Sequence, residues 1–167
     1  MAKTLDVSDT DIETMDGEQY VTFELSNETY AIEALMVKEI IELAYVTRVP
    51  NLPEFFKGVI NLRGTIIPVI DTKMKFDMDP DDYKRHTCVI ITEFNNTLTG
   101  LIVDAVSDVL YIPRGAISVA PSFGTTIRTD FVRGLGNIEG KLLIILDIVR
   151  VLTPEVFSNI YEAGGGV

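Results

Sequence analysis

The chain has 167 residues, 47 % of them hydrophobic, which suits one ordinary domain or two very small barrels sharing a core and excludes wholesale disorder. A formal net charge of −11 argues against nucleic acid and anionic membrane surfaces as partners, since both demand clustered Lys and Arg. Cys88 is the only cysteine, so neither an internal disulfide nor a cysteine metal cluster can form.

Acidic residues crowd the start: Asp6, Asp9, Asp11, Glu13, Asp16 and Glu18 face Lys3 alone. Residues 1–17 are therefore expected to be a disordered acidic tail. No basic region followed by an apolar run marks a signal peptide, and no apolar run reaches the ~18 residues that span a bilayer. A soluble, cytoplasmic protein without direct membrane insertion is the expectation.

A hairpin opens the folded part: Val21–Leu25, a turn at Ser26-Asn27-Glu28, then Tyr30–Ile32,. Val37–Ile41 reads as the next strand. Leu52–Lys57 has Pro53 at a helix-start position and Gly58 as a stop, which predicts a short helix,. Asn61-Leu62-Arg63-Gly64 is a tight turn in which Gly64 supplies positive φ. Pro68 in the following strand, Ile66–Asp71, implies an edge position or a bulge. A second hairpin runs Val89–Thr92, Asn95-Asn96, Leu98–Val103, and Val106–Leu110 follows it. The segment from Pro113 to Arg128 links strands and is able to present Phe123 to a partner. Thr153 and Pro154 open a C-terminal helix over 153–161, and 163–167 form a flexible tail,.

The chain is internally duplicated. Gly58-Val59-Ile60-Asn61-Leu62-Arg63-Gly64 matches Gly134-Leu135-Gly136-Asn137-Ile138-Glu139-Gly140, and each continues into an apolar strand closed by an aspartate, Asp71 or Asp147. Phe55 and Phe131 each stand three residues before the first glycine. Upstream, Val37-Lys38-Glu39-Ile40-Ile41 corresponds to Val106-Ser107-Asp108-Val109-Leu110. Each unit holds about five short strands and is too small to bury a core alone, which predicts two small barrels packed together.

Three patterns carry enzyme or metal chemistry if read at face value. Twin aspartates across a duplication suit an aspartic protease only if each lies in a glycine-bearing turn and the two share a proton. Asp71 precedes Thr72-Lys73 and Asp147 precedes Ile148-Val149, so capping of backbone amides is expected instead. Asp77-Met78-Asp79-Pro80-Asp81-Asp82 begins like a calcium loop, but its sixth position is Asp82 and its twelfth is Cys88, not Gly and Glu,. His86 and Cys88 share a strand face, yet a nucleophile pair needs an orienting third group. No catalytic residue, metal or cofactor is assigned. A small hydrolase using the paired aspartates stands as the alternative reading.

Gly58–Gly64 followed by Ile67-Pro68-Val69-Ile70-Asp71 resembles the signature of the CheW family of chemotaxis coupling proteins. Gly100–Val106 and Phe131-Val132-Arg133-Gly134-Leu135-Gly136 resemble its second half. The resemblance covers Tyr20 to Leu152. It implies a mainly β fold of two intertwined five-stranded SH3-like barrels related by pseudo-two-fold symmetry, with short helices and a C-terminal helix, over 18–162. Its barrels would hold roughly 33–83 and roughly 20–32 plus 84–152. It implies a non-enzymatic adaptor between chemoreceptors (methyl-accepting chemotaxis proteins) and the regulatory domain of the histidine kinase CheA, at receptor arrays on the inner membrane. An adaptor of a twitching or gliding system is the alternative within the family. Partner-binding positions implied are Val37, Glu39, Gly58, Asn61, Arg63, Gly64 and Cys88, with Glu39 pairing with Arg63 and Val37 at the receptor-facing groove.

Overall fold

The structure, a computed structural model, describes residues 16–43, 45–79, 82–118 and 131–152. Alternating and continuous β-branched runs form the strands. They are β1 (Gly17–Leu25), β2 (Glu28–Glu33), β3 (Val37–Glu42), β4 (Phe56–Leu62), β5 (Thr65–Asp71), β6 (Cys88–Phe94), β7 (Thr97–Val103), β8 (Ala105–Pro113), β9 (Ile117–Ser118), β10 (Val132–Ile138) and β11 (Lys141–Leu146). Two single-turn helices follow the aspartates, α1 (Thr72–Lys75) and α2 (Ile148–Val151).

Among the described residues four hairpins close through two-residue turns in which both residues have positive φ: Ser26-Asn27, Arg63-Gly64, Asn95-Asn96 and Glu139-Gly140. Such turns match the right-handed twist of the strands they join. They favour Asn and Gly, which the sequence supplies at five of the eight positions.

The strands form two sheets, ordered β8-β1-β2-β11-β10-β9 and β3-β6-β7-β5-β4. Each unit's leading hairpin lies in the other unit's sheet. Hairpin β1–β2 sits between β8 and β11, and hairpin β6–β7 sits between β3 and β5. The two joins are alike and parallel: Tyr30 and Ala31 pair with Ile144 and Ile145, and Gly100 and Leu101 pair with Val69 and Ile70. Residues 20–32 thus do sit with the later strands, but 88–103, grouped on sequence with that same barrel, hydrogen-bond into the sheet of residues 37–71. Pairing over such distances leaves no mark on local pattern.

Each sheet curls until its ends approach. Beyond β3, Thr47 exchanges two backbone hydrogen bonds with Val59 of β4, at 2.8 and 2.9 Å. In the other sheet β8 continues through the 3-10 turn Arg114–Ala116 into β9, which pairs with β10; this continuation is the sixth strand. Glycine is required where these seams cross. An added Cβ at Gly58 (φ 140°) falls 2.0 Å from the Thr47 carbonyl oxygen, and one at Gly134 falls 2.6 Å from that of Ser118.

Three apolar clusters result among the described residues. Ile60, Ile67, Val69, Val89, Ile91 and Ile102 fill one barrel, and Tyr20, Ala31, Ile112, Leu143 and Ile145 fill the other. The largest, with Phe23, Leu25, Tyr30, Ile70, Ile90, Leu101 and Leu146, joins strands of both sheets. The exchanged hairpins contribute to all three, so the barrels share one folding unit.

Several expectations change. Leu52–Lys57 forms no helix: Phe56 N–H bonds the Pro53 carbonyl at 2.9 Å and Phe56 enters β4 opposite Ile70. Pro68 lies in β5, an inner strand, paired with Val59; pairing to β7 starts at Val69, so the missing N–H falls before that ladder begins,. Order begins within the expected tail, because Arg114 holds Asp16 by its side chain at 2.8 Å and Gly17 starts β1. The expected helix at 153–161, the tail 163–167 and Phe123 lie outside the described residues. No helix among the described residues is long and apolar enough to cross a membrane.

Candidate functional site

The duplicated turns differ in their charge, and the site begins there. Arg63 (φ 50°) and Gly64 (φ 90°) cap the β4–β5 hairpin. Asn61 braces the turn: its side-chain oxygen accepts from the Gly64 N–H at 2.8 Å. Arg63 then reaches across the seam to β3, the far edge of the same sheet. Its Nη2 lies 2.6 Å from Glu39 Oε1, and its Nη1 lies 3.2 Å from Oε2. This two-pronged geometry is the strong form of a carboxylate contact. The hydrogen bonds from Arg63 hold the Glu39 carboxyl below its ordinary pKa and raise that of the guanidinium.

A register shift between Val37 and Glu39 in the β3–β6 ladder sets the neighbouring side chains,. Val37 packs against the shared core while Ile41 packs inside the barrel. The strands that carry the pair or flank its turn also expose apolar side chains, Ile40 of β3 at 39 % and Ile66 of β5 at 59 %, and Leu35, in the turn before β3, is 91 % exposed.

The second unit carries Glu139 where the first has Arg63, and Asp108 where it has Glu39. Two carboxylates replace the pair. Val109 and Leu142 are exposed there, matching Ile40 and Ile66. One architecture thus presents two ends with related apolar content and different charge.

Residues 19–155 match the family model of the CheW-like domain. The chain belongs to the CheW-like family. It is 42 % identical to the chemotaxis protein CheW of Klebsiella aerogenes over 139 residues, 83 % of this chain and 84 % of that one. Against CheW of Bacillus subtilis identity is 34 %, covering 83 % and 89 %. The solved scaffolding protein TtCheW of Thermoanaerobacter tengcongensis superposes with a TM-score of 0.76 at 37 % identity, covering 81 % of this chain and 92 % of that one. Its relatives' names and likeness to the TtCheW scaffold make this chain a chemotaxis scaffold rather than an enzyme.

The remaining implied positions of this CheW-like domain sit apart from the ion pair. Gly58 is buried against Thr47, so its part is to let the seam close. Cys88 is half-buried at the start of β6, between Glu42 and Val103. Its thiol donates to the His86 backbone carbonyl at 3.2 Å, so the contact is to main chain.

Both aspartates cap helices. Asp71 accepts from Met74 N–H at 3.2 Å and from the Tyr83 hydroxyl at 2.7 Å; Asp147 accepts from Val149 N–H at 3.1 Å. Burial, then this bond to Asp71, raises the Tyr83 phenol above its ordinary pKa. Among the described residues no cluster of three metal-ligating side chains forms.

Sequence reading missed Asp104, which joins the two sheets. Its carboxylate binds Lys73 of α1 at 3.1 Å and the Ser26 N–H at 2.9 Å, and its own N–H bonds the Glu24 carbonyl. The only sequence signal is an acid ending an apolar strand, a pattern shared with Asp71. The exposed Ile66 and Leu142 were hidden inside continuous apolar runs.

Proposed function

We propose that this scaffold couples chemoreceptors to the histidine kinase CheA by binding both at once. The observation supporting it is the inequality of the two barrel ends. One has the Arg63–Glu39 pair, with Ile40 and Ile66 exposed on β3 and β5; the other has Glu139 and Asp108, with Val109 and Leu142 exposed on β8 and β11. Unequal ends suit unequal partners, since charge decides which apolar surface is accepted. A barrel-shaped regulatory domain fits an end face of this kind. The half-buried Val37, at the margin of the shared core, suits a receptor helical hairpin laid in the groove between barrels. Each contact is small, and bivalence raises the effective concentration of the second partner. The domain works on the cytoplasmic side of the membrane, within receptor arrays.

A pull-down with the CheA regulatory domain immobilised tests this. The chain should carry a receptor cytoplasmic tip onto the resin. Receptor that displaces the chain from the kinase domain would overturn the bridging role.

A further inference from the structure

A break in one ladder shapes the acidic end. Where β8 pairs with β1, Thr22 faces Asp108 and Phe23 faces Val106. Ser107 is skipped, which makes a β-bulge. The first unit repeats it: Thr92 faces Val37, Ile91 faces Glu39, and Lys38 is skipped. Each bulge therefore delivers the carboxylate of its own end, Asp108 or Glu39. Across the second, Ser107, Asp108 and Val109 are all exposed, where strict alternation would turn one of the three inward.

A bulge disrupts the ladder around it, and the two units make good the loss differently. In the second, the Asp108 N–H donates to the Thr22 hydroxyl oxygen at 3.0 Å, and that hydroxyl donates to the Asp108 carbonyl at 3.2 Å. One side chain, on a residue 1 % exposed, thus holds both main-chain groups of Asp108. A hydroxyl serves both because it donates and accepts at once. In the first unit the corresponding residue is Ile91, equally buried, which does neither. There the carboxylate is steadied from outside, by Arg63 at 2.6 Å. Among the described residues no cation pairs with Asp108. Its charge is open while its main chain is fixed from within, so a partner meets a carboxylate already in place.

Granted the two-ended bridge proposed above, we infer that Thr22 is the positioning residue of the acidic end. It holds the bulge that aims Asp108, with Val109 beside it, at a partner surface carrying a lysine or arginine next to an apolar contact. Charge complementarity selects that partner. The buried hydroxyl keeps the carboxylate where the cation meets it.

Each partner is measured alone, the CheA regulatory domain and the receptor tip in separate titrations, against T22V, T22S and D108N. D108N should weaken one of the two about fivefold and flatten the salt dependence of that binding. T22V should weaken the same partner by a similar factor and leave the other as it was, while hydrogen exchange at the Asp108 amide speeds up. T22S loses a buried methyl but keeps the hydroxyl, so it should bind like the wild type. Normal binding of both partners by T22V or by D108N would overturn the proposal. So would T22S failing as T22V does, or both partners weakening alike. Failure of the bridge itself would show differently, in the wild type, as receptor displacing the chain from the kinase domain.

Discussion

Arg63 and Glu39 meet at two nitrogen–oxygen contacts, yet the Arg63 side chain remains 70 % exposed. Water screens such a pair, so it adds little to stability and leaves its chemistry open to a partner. Arg63→Ala should move the melting temperature by less than about 3 °C; a larger loss would make the pair structural. Because Arg63 lowers the Glu39 pKa, the stability linked to Glu39 is present above the ordinary carboxylate range. It is lost as pH falls through the lowered folded value. The carboxyl carbon of Glu39, followed by NMR, should titrate at lower pH in the wild type than in Arg63→Ala. Equal midpoints would show that the pair does not persist in solution. Gly58 is the opposite kind of residue. Gly58→Ala meets the Thr47 carbonyl at 2.0 Å and should lower the melting temperature by many degrees. Gly115→Ala, with nothing within 4 Å of the added carbon, should leave it nearly unchanged,. Similar melts for the two variants would refute the seam argument.

At the scale of elements, the one-turn helices depend on their aspartates. Asp71 is 3 % exposed and serves both Met74 and Tyr83. Asp71→Ala should therefore cost about 2–3 kcal/mol in urea unfolding, and Tyr83→Phe about 1 kcal/mol. If Tyr83→Phe cost as much as Asp71→Ala, the capping bond would carry none of the effect. Capping by both aspartates was readable from residues at strand ends, but the helices after them were not, because four residues show no period. The reverse error came at Leu52–Lys57. Pro53 and Gly58 read as helix punctuation, while Phe56 opposite Ile70 decides for a strand. The Arg63 turn was readable because its twin at Glu139 exposed the repeat. Its pairing with Glu39 followed only from the family resemblance, since 24 residues separate the two.

For the whole molecule, the exchange of hairpins matters most. Hairpin 17–33 completes the sheet of 105–146, and hairpin 88–103 completes the sheet of 37–71. Neither barrel is complete without the other unit's chain. Thermal unfolding should be a single transition with equal calorimetric and van 't Hoff enthalpies; two resolved transitions would contradict shared barrels. Duplication was plain in the sequence, whereas the crossing of 88–103 was not, because a parallel join such as Gly100 to Val69 has no local signature. The fold thereby holds two unlike ends in fixed relation, as the proposed bridge requires. Co-sedimentation of receptor and CheA with wild type or Arg63→Ala tests that bridge most directly. The account predicts that the wild type brings kinase into the receptor pellet and that the equally folded variant does not. Full kinase recovery with Arg63→Ala would contradict it.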